Sequence, residues 1–153
     1  MELKIEKLLK AKGIKYRIIK LSQTAYTVAD VVKYSGGKVK TEEICKTIIL
    51  MSKKNGKAAA LLLRGCDKLD FSAVKNLFGE RLAIASPDQV KKVTGVEPGA
   101  VCPLMLKAPL FVDQKVLALK NINCGSGHHL YGIEFQTKDL IKGVNYKTAN
   151  FAN

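Results

Sequence analysis

The chain has 153 residues, 47% of them apolar, and 26 Lys and Arg set against 13 Asp and Glu leave a net charge of +13. That length and apolar content exclude a disordered chain and fit one domain, residues 1–153, with a substantial core. The basic excess attracts phosphate and raises affinity and encounter rate for nucleic acid, and with only Arg17, Arg64 and Arg81 as arginines that attraction is diffuse rather than a bidentate reading of base edges.

The first elements are short and punctuated. Residues 2–11 carry apolar positions at Leu3, Ile5, Leu8 and Leu9, with Gly13 as a stop, which predicts an amphipathic helix. Lys4, Lys7 and Lys10 interrupt the same segment, so it does not read as a secretory signal, and no apolar run reaches membrane-spanning length. Tyr16 to Leu21 is β-branched and aromatic and predicts a strand. Thr27-Val28-Ala29-Asp30 has the capping-box pattern, its helix ending at Gly36-Gly37, and Thr41 caps one further turn.

The strongest β signal comes next. Ile44 to Ser52 is a continuous apolar run, Asn55-Gly56 is a hairpin turn, and Ala58 to Leu63 is the returning strand. Runs apolar on both faces place this hairpin in the centre of a sheet. Asp70 then caps a helix with Phe71, Val74, Leu77 and Phe78 on one face and Gly79 at its end. Leu82 to Ala85 predicts a short strand, and Ser86-Pro87-Asp88-Gln89 opens a helix that runs to Gly95.

The following loop, Gly95 to Pro103, holds two glycines and two prolines. On local chemistry it is either a tight helix-to-strand connection or a place where a ligand approaches bare backbone at Gly99. Short apolar pieces follow at Val101–Leu106, Leu110–Val112, Val116–Leu119 and Leu130–Phe135, interrupted at Gly125-Ser126-Gly127; Thr137 is expected to cap a last helix around Leu140 and Ile141. The fold class expected is α/β, with helices flanking a mixed, mostly antiparallel sheet.

Side-chain chemistry is sparse. Lys46 shares a strand face with Ile44, Ile48 and Leu50, where a lysine needs an anionic partner or a route to water. His128 and His129, the only histidines, follow the glycine run and offer donors to an oxyanion or phosphate, or are simply solvated. Cys45, Cys66, Cys102 and Cys124 lie too far apart for a CxxC pair, so free thiols in a cytoplasmic protein are expected, with no metal and no cofactor. P-loop, dinucleotide and Gly-x-Ser-x-Gly signatures do not occur.

Several of these segments, in this order, resemble the YbaK/prolyl-tRNA-synthetase-associated editing-domain family. They are Ile44-Cys45-Lys46-Thr47-Ile48-Ile49, the Asp70–Gly79 helix, Thr94-Gly95 with Gly99-Ala100-Val101-Cys102-Pro103 as a Gly-x-x-x-Pro loop, and Cys124-Gly125-Ser126-Gly127-His128. The resemblance spans roughly residues 1–143 and implies a barrel-like, YbaK-like sheet and a free-standing deacylase that hydrolyses the ester of a mischarged aminoacyl-tRNA. It implies that Lys46 contacts the terminal adenosine or its phosphate, and that Gly99 through Pro103 hold the aminoacyl carbonyl and the attacking water with backbone amides. Thr47, Gly95, Ala100, Val101, Cys102, Gly125, Ser126 and His128 are the substrate-binding positions that follow from it. The implied partner is the acceptor end of tRNA, with no membrane, and with a homodimer or an aminoacyl-tRNA synthetase as further partners. A non-catalytic tRNA- or RNA-binding module of the same fold is the alternative.

Overall fold

The computed structural model describes residues 2–153. Eight strands fall into two sheets that share a seam. One has three strands, β1 (Tyr16–Lys20), β7 (Tyr131–Gln136) and β6 (Asn121–His128), all antiparallel in the order β1-β7-β6. The other has five, β4 (Leu82–Ile84), β2 (Cys45–Ser52), β3 (Ala58–Arg64), β5 (Leu110–Asp113) and β8 (Lys147–Ala149), in that order. The β2–β3 hairpin and the β4 edge are antiparallel, whereas β5 and β8 add in parallel. A single parallel bridge, Ile44 to Asn123, joins the sheets at one end, so the barrel-like expectation is corrected to an open pair.

The hairpin lies at the centre as its apolar faces require. Cys45, Ile49 and Leu62 enter one core cluster, while Leu50, Leu61 and Leu63 enter another on the opposite face. Burying each such leucine completely contributes roughly 1.5–3 kcal/mol. Helices α1 (Lys4–Ala11) and α4 (Pro87–Thr94) cover the first cluster, and α3 (Phe71–Phe78) covers the second. A third cluster of Ile19, Leu21, Ala25, Val39 and Ile44 lies between the three-stranded sheet and α2 (Val28–Tyr34).

Caps form where the sequence places them. Thr27 accepts from Asp30 N at 3.1 Å, Asp70 from Ala73 N at 3.1 Å and Ser86 from Gln89 N at 3.2 Å. Two expectations change, at residues 125–127 and at Thr137. Gly125-Ser126-Gly127 does not interrupt the chain but lies within β6, with a register shift between Gly125 and His128. The apolar piece that begins at Val116 lies at the end of a short helix, α5 (Gln114–Leu117), started by Asp113. Thr137 Oγ1 is buried without a hydrogen-bond partner and caps neither its own turn nor α6 (Leu140–Gly143). β8 has no apolar alternation and was not foreseen; Asp113 anchors the residues after it, accepting from Phe151 N and Ala152 N at 2.9 and 3.0 Å.

Candidate functional site

The site lies where the two sheets part. After the Ile44–Asn123 bridge, β2 runs alone on one edge until β4 joins it at Leu50–Ser52. Ala85 N donates to Ile49 O at 2.9 Å, which identifies the direction of that edge. Backbone groups alternate along a strand, so the N–H and C=O of Thr47 face the same way, into the gap. A groove of about 690 Å³ fills this gap, lined in part by Lys46, Thr47, Ala85, Gly99 and Val101.

Three backbone segments meet at its floor because glycine permits it. A Cβ on Gly125 would stand 2.5 Å from Val101 O and 2.8 Å from Ala100 C, so the loop after α4 rests directly on the backbone of β6. A Cβ on Gly99 would stand 3.0 Å from Ala25 O. The loop itself is set by Gly95, which closes α4 at φ +79°, and by a turn in which Ala100 N donates to Glu97 O at 2.9 Å. Outside their own turn, no hydrogen bond among the described residues engages the amides of Gly99 and Val101.

Lys46 resolves its position on an apolar strand through main-chain oxygens. Its Nζ donates to Asp67 O at 2.7 Å and Gly65 O at 3.3 Å, which leaves one of three ammonium donors free. The Asp67 carboxylate is engaged elsewhere: Arg64 grips it at 2.8 and 3.0 Å and holds its carboxyl below the ordinary value. Beside Lys46, Thr47 Oγ1 is buried without a partner.

From Gly99 and Gly125 a narrow inner pocket of about 90 Å³ continues beneath α2, walled by Ile19, Leu21, Val31 and Ile44, with Asn123 among its residues and His128 and His129 also on its wall. The two imidazoles stack at 4.8 Å, and His128 Nδ1 accepts from Leu130 N at 3.1 Å, which places the proton of the neutral ring on Nε2.

Of the residues singled out from sequence, Lys46, Thr47, Gly99, Val101, Gly125 and His128 are brought together on these walls. Gly95, Ala100, Cys102, Pro103 and Ser126 are not on them. Gly95 and Ala100 shape the loop, Cys102 and Pro103 are buried behind it, and Ser126 Oγ donates to Tyr131 O at 2.5 Å, pinning the irregularity in β6. Asn123, Ala25 and Tyr26 also line these walls, and no motif in the sequence marks them. Alternation would have found the first, since Asn123 sits between Ile122 and Cys124 and faces away from the core they join. Tyr26, 81% exposed at the groove, is flagged by nothing in the sequence around it.

Similar folds are known. The crystal structure of the hypothetical protein APE2540 superposes with a TM-score of 0.86 at 27% identity, covering 97% of this chain and 99% of that one. A candidate trans-editing enzyme for prolyl tRNA synthetase gives 0.81 at 22% identity, over 97% and 94% of the two chains. A scaffold used for epitope backbone grafting gives 0.80 at 21%, over 97% and 95%. At those last two identities the likeness establishes the fold, which is that of the two-sheet arrangement described above. The model of the aminoacyl-tRNA editing domain matches residues 22–142, a span that includes β2, the Gly95–Pro103 loop and β6. The chain belongs to the aminoacyl-tRNA editing domain family.

Proposed function

We propose that the protein is a trans-acting deacylase that hydrolyses the ester of mischarged aminoacyl-tRNA. The observation that carries this reading is the pair of amides of Gly99 and Val101, without partners outside their own turn, on a loop seated on Gly125 in the groove that Lys46 also lines. Water adds to the ester carbonyl carbon, and these amides donate to the oxyanion as it forms. The bond to the ribose oxygen then breaks, and the proton given up by the water passes to that oxygen.

The floor of the site, formed by the Ala25 carbonyl, Ala100, Val101 and Gly125, supplies no acid or base. An aminoacyl ester is already activated, so orientation of water by the neighbouring ribose hydroxyl together with fixed amide donors is sufficient chemistry. The free donor of Lys46 faces the terminal phosphate or ribose, and the Thr47 edge and hydroxyl meet the ribose. The exposed ring of Tyr26 offers a face on which the terminal adenine stacks. The net charge of +13 favours the rest of the tRNA.

The test is a panel of tRNAs charged with alanine, cysteine, serine, threonine and proline, followed for loss of the ester. Turnover of at least one above the uncatalysed rate is expected. Tight, salt-sensitive binding with every ester intact would replace the deacylase with a binding module of the same fold.

A further inference from the structure

Among the described residues lining the inner pocket, one buried side-chain polar atom has no partner. Asn123, 4% exposed, donates from Nδ2 to Glu134 Oε2 at 3.0 Å, while its Oδ1 is buried and accepts no hydrogen bond. The amide orientation follows from chemistry. Turning it over would set its oxygen against a carboxylate and leave its nitrogen without an acceptor.

Glu134 is fixed in turn by Arg17, whose Nη2 and Nε lie 2.9 and 3.3 Å from its two oxygens. Burial works against the ionised form of Glu134, but hydrogen bonds from Arg17 and Asn123 outweigh it and hold the carboxyl below its ordinary value. The Asn123 oxygen is therefore presented in one direction by a rigid relay. The pocket is largely apolar, with Ile19, Leu21, Val31 and Ile44, and His128 and His129 also stand on its wall. Buried acceptors are seldom left unpaired in native proteins. A hydroxyl that reaches this one supplies the donor that the protein itself does not.

We infer that the inner pocket receives the aminoacyl side chain and selects short side chains bearing a hydroxyl, serine and threonine over alanine and valine, with Asn123 Oδ1 as the acceptor. This rests on the deacylase reading above, which places the ester at Gly99 and Gly125, where the groove and the inner pocket meet. Two groups on the amino-acid α-carbon compete for the pocket. The α-ammonium is disfavoured because no carboxylate lines the pocket, and Glu134, behind Asn123, is already paired with Arg17. A thiol is a weaker donor than a hydroxyl and fills the role less well. Leaving the acceptor unpaired disfavours alanine by roughly 10- to 100-fold relative to serine.

The experiment compares kcat/KM for one tRNA charged in turn with serine, threonine, alanine and valine, for the wild type and for Asn123→Leu, with a thermal melt of each protein. The expected result is a serine-to-alanine ratio of about 10 or more in the wild type, falling towards one in Asn123→Leu. A wild-type ratio of one or below overturns the inference while leaving the deacylase standing, and needs no variant to fold. A high ratio that Asn123→Leu preserves in a folded protein moves the selection to another residue and overturns the role of Asn123. Equal losses on all four substrates assign Asn123 to the α-ammonium, which also overturns it. Hydrolysis of none of the four, together with none of the wider panel, removes the deacylase reading and this one with it.

Discussion

Substituting Gly125 by alanine tests the geometry on which the site depends. Gly125 does not have a positive φ, so alanine is acceptable to its backbone and the effect comes from contact alone. The added methyl would meet Val101 O at 2.5 Å, Ala100 C at 2.8 Å and Ala100 O at 2.9 Å, all of them main-chain atoms that no rotamer change can move aside. Ordinary contact begins near 3.4 Å, so the loop must withdraw by several tenths of an ångström to about 1 Å. Overpacking of this kind costs about 1–3 kcal/mol, which for a domain of this size lowers Tm by roughly 2–12 °C. The amides of Gly99 and Val101 move with the loop, and a misplacement approaching 1 Å costs on the order of 100-fold in rate. Single-turnover deacylation and a melt measure both effects. Gly132→Ala is the control, because its Cβ meets Cys124 O at 3.4 Å and Ile19 Cβ at 3.8 Å without a clash. Its Tm should stay within about 2 °C of the wild type while the methyl narrows the inner pocket. Wild-type Tm and wild-type turnover in Gly125→Ala would refute the view that the loop is docked on this glycine.

Three further outcomes are expected. Lys46→Met keeps the aliphatic stem and removes the ammonium, so kcat/KM should fall about 10- to 150-fold through loss of a charge-assisted contact; undiminished turnover removes Lys46 from the site. Glu134 has a carboxyl held below its ordinary value of 4.5, so its ionisation stabilises the fold above that pH and the contribution is lost as pH falls through the lower folded value. Glu134→Gln should therefore flatten the acid limb of a Tm-against-pH profile, and superimposable limbs would contradict it. Of the four thiols, Cys66 is exposed, whereas burial pushes Cys45 up to about 12 and a hydrogen bond with Cys102, with burial, raises Cys124. A thiol reagent at neutral pH should modify Cys66 quickly and the other three only on unfolding, as mass spectrometry of the native protein would register.

Local chemistry made much of the fold legible. The hairpin was readable because Asn55-Gly56 dictates the turn and both faces of its strands are apolar, and the helices at Thr27, Asp70 and Ser86 because one side-chain oxygen caps each start. β6 was not, because Gly125-Ser126-Gly127 has the composition of a loop. It stays in the sheet through a distant cause, the seating of residues 100 and 101 on bare backbone, and through the Ser126 hydroxyl bridging the irregularity. The same error hid Asn123, since without a strand there is no alternation to mark it. β8 depends on pairing with β5 and on Asp113, far away in sequence, and Lys147-Thr148-Ala149 holds no trace of either. The groove's outline was anticipated at Lys46, Thr47 and Gly99, but Gly95, Ala100, Cys102 and Pro103 support the wall from behind.

The clasp on Lys46 also bears on how this protein tolerates change. Main-chain oxygens hold the ammonium, and every residue type supplies such an oxygen, so substitutions at position 67 can alter the Arg64 pair without unfastening the lysine. A carbonyl also carries no formal charge. Among the described residues no carboxylate comes within ion-pair distance of Lys46, so the cation is located without being neutralised. An anion arriving in the groove would thus meet a charge already held in position rather than one that must first leave a partner.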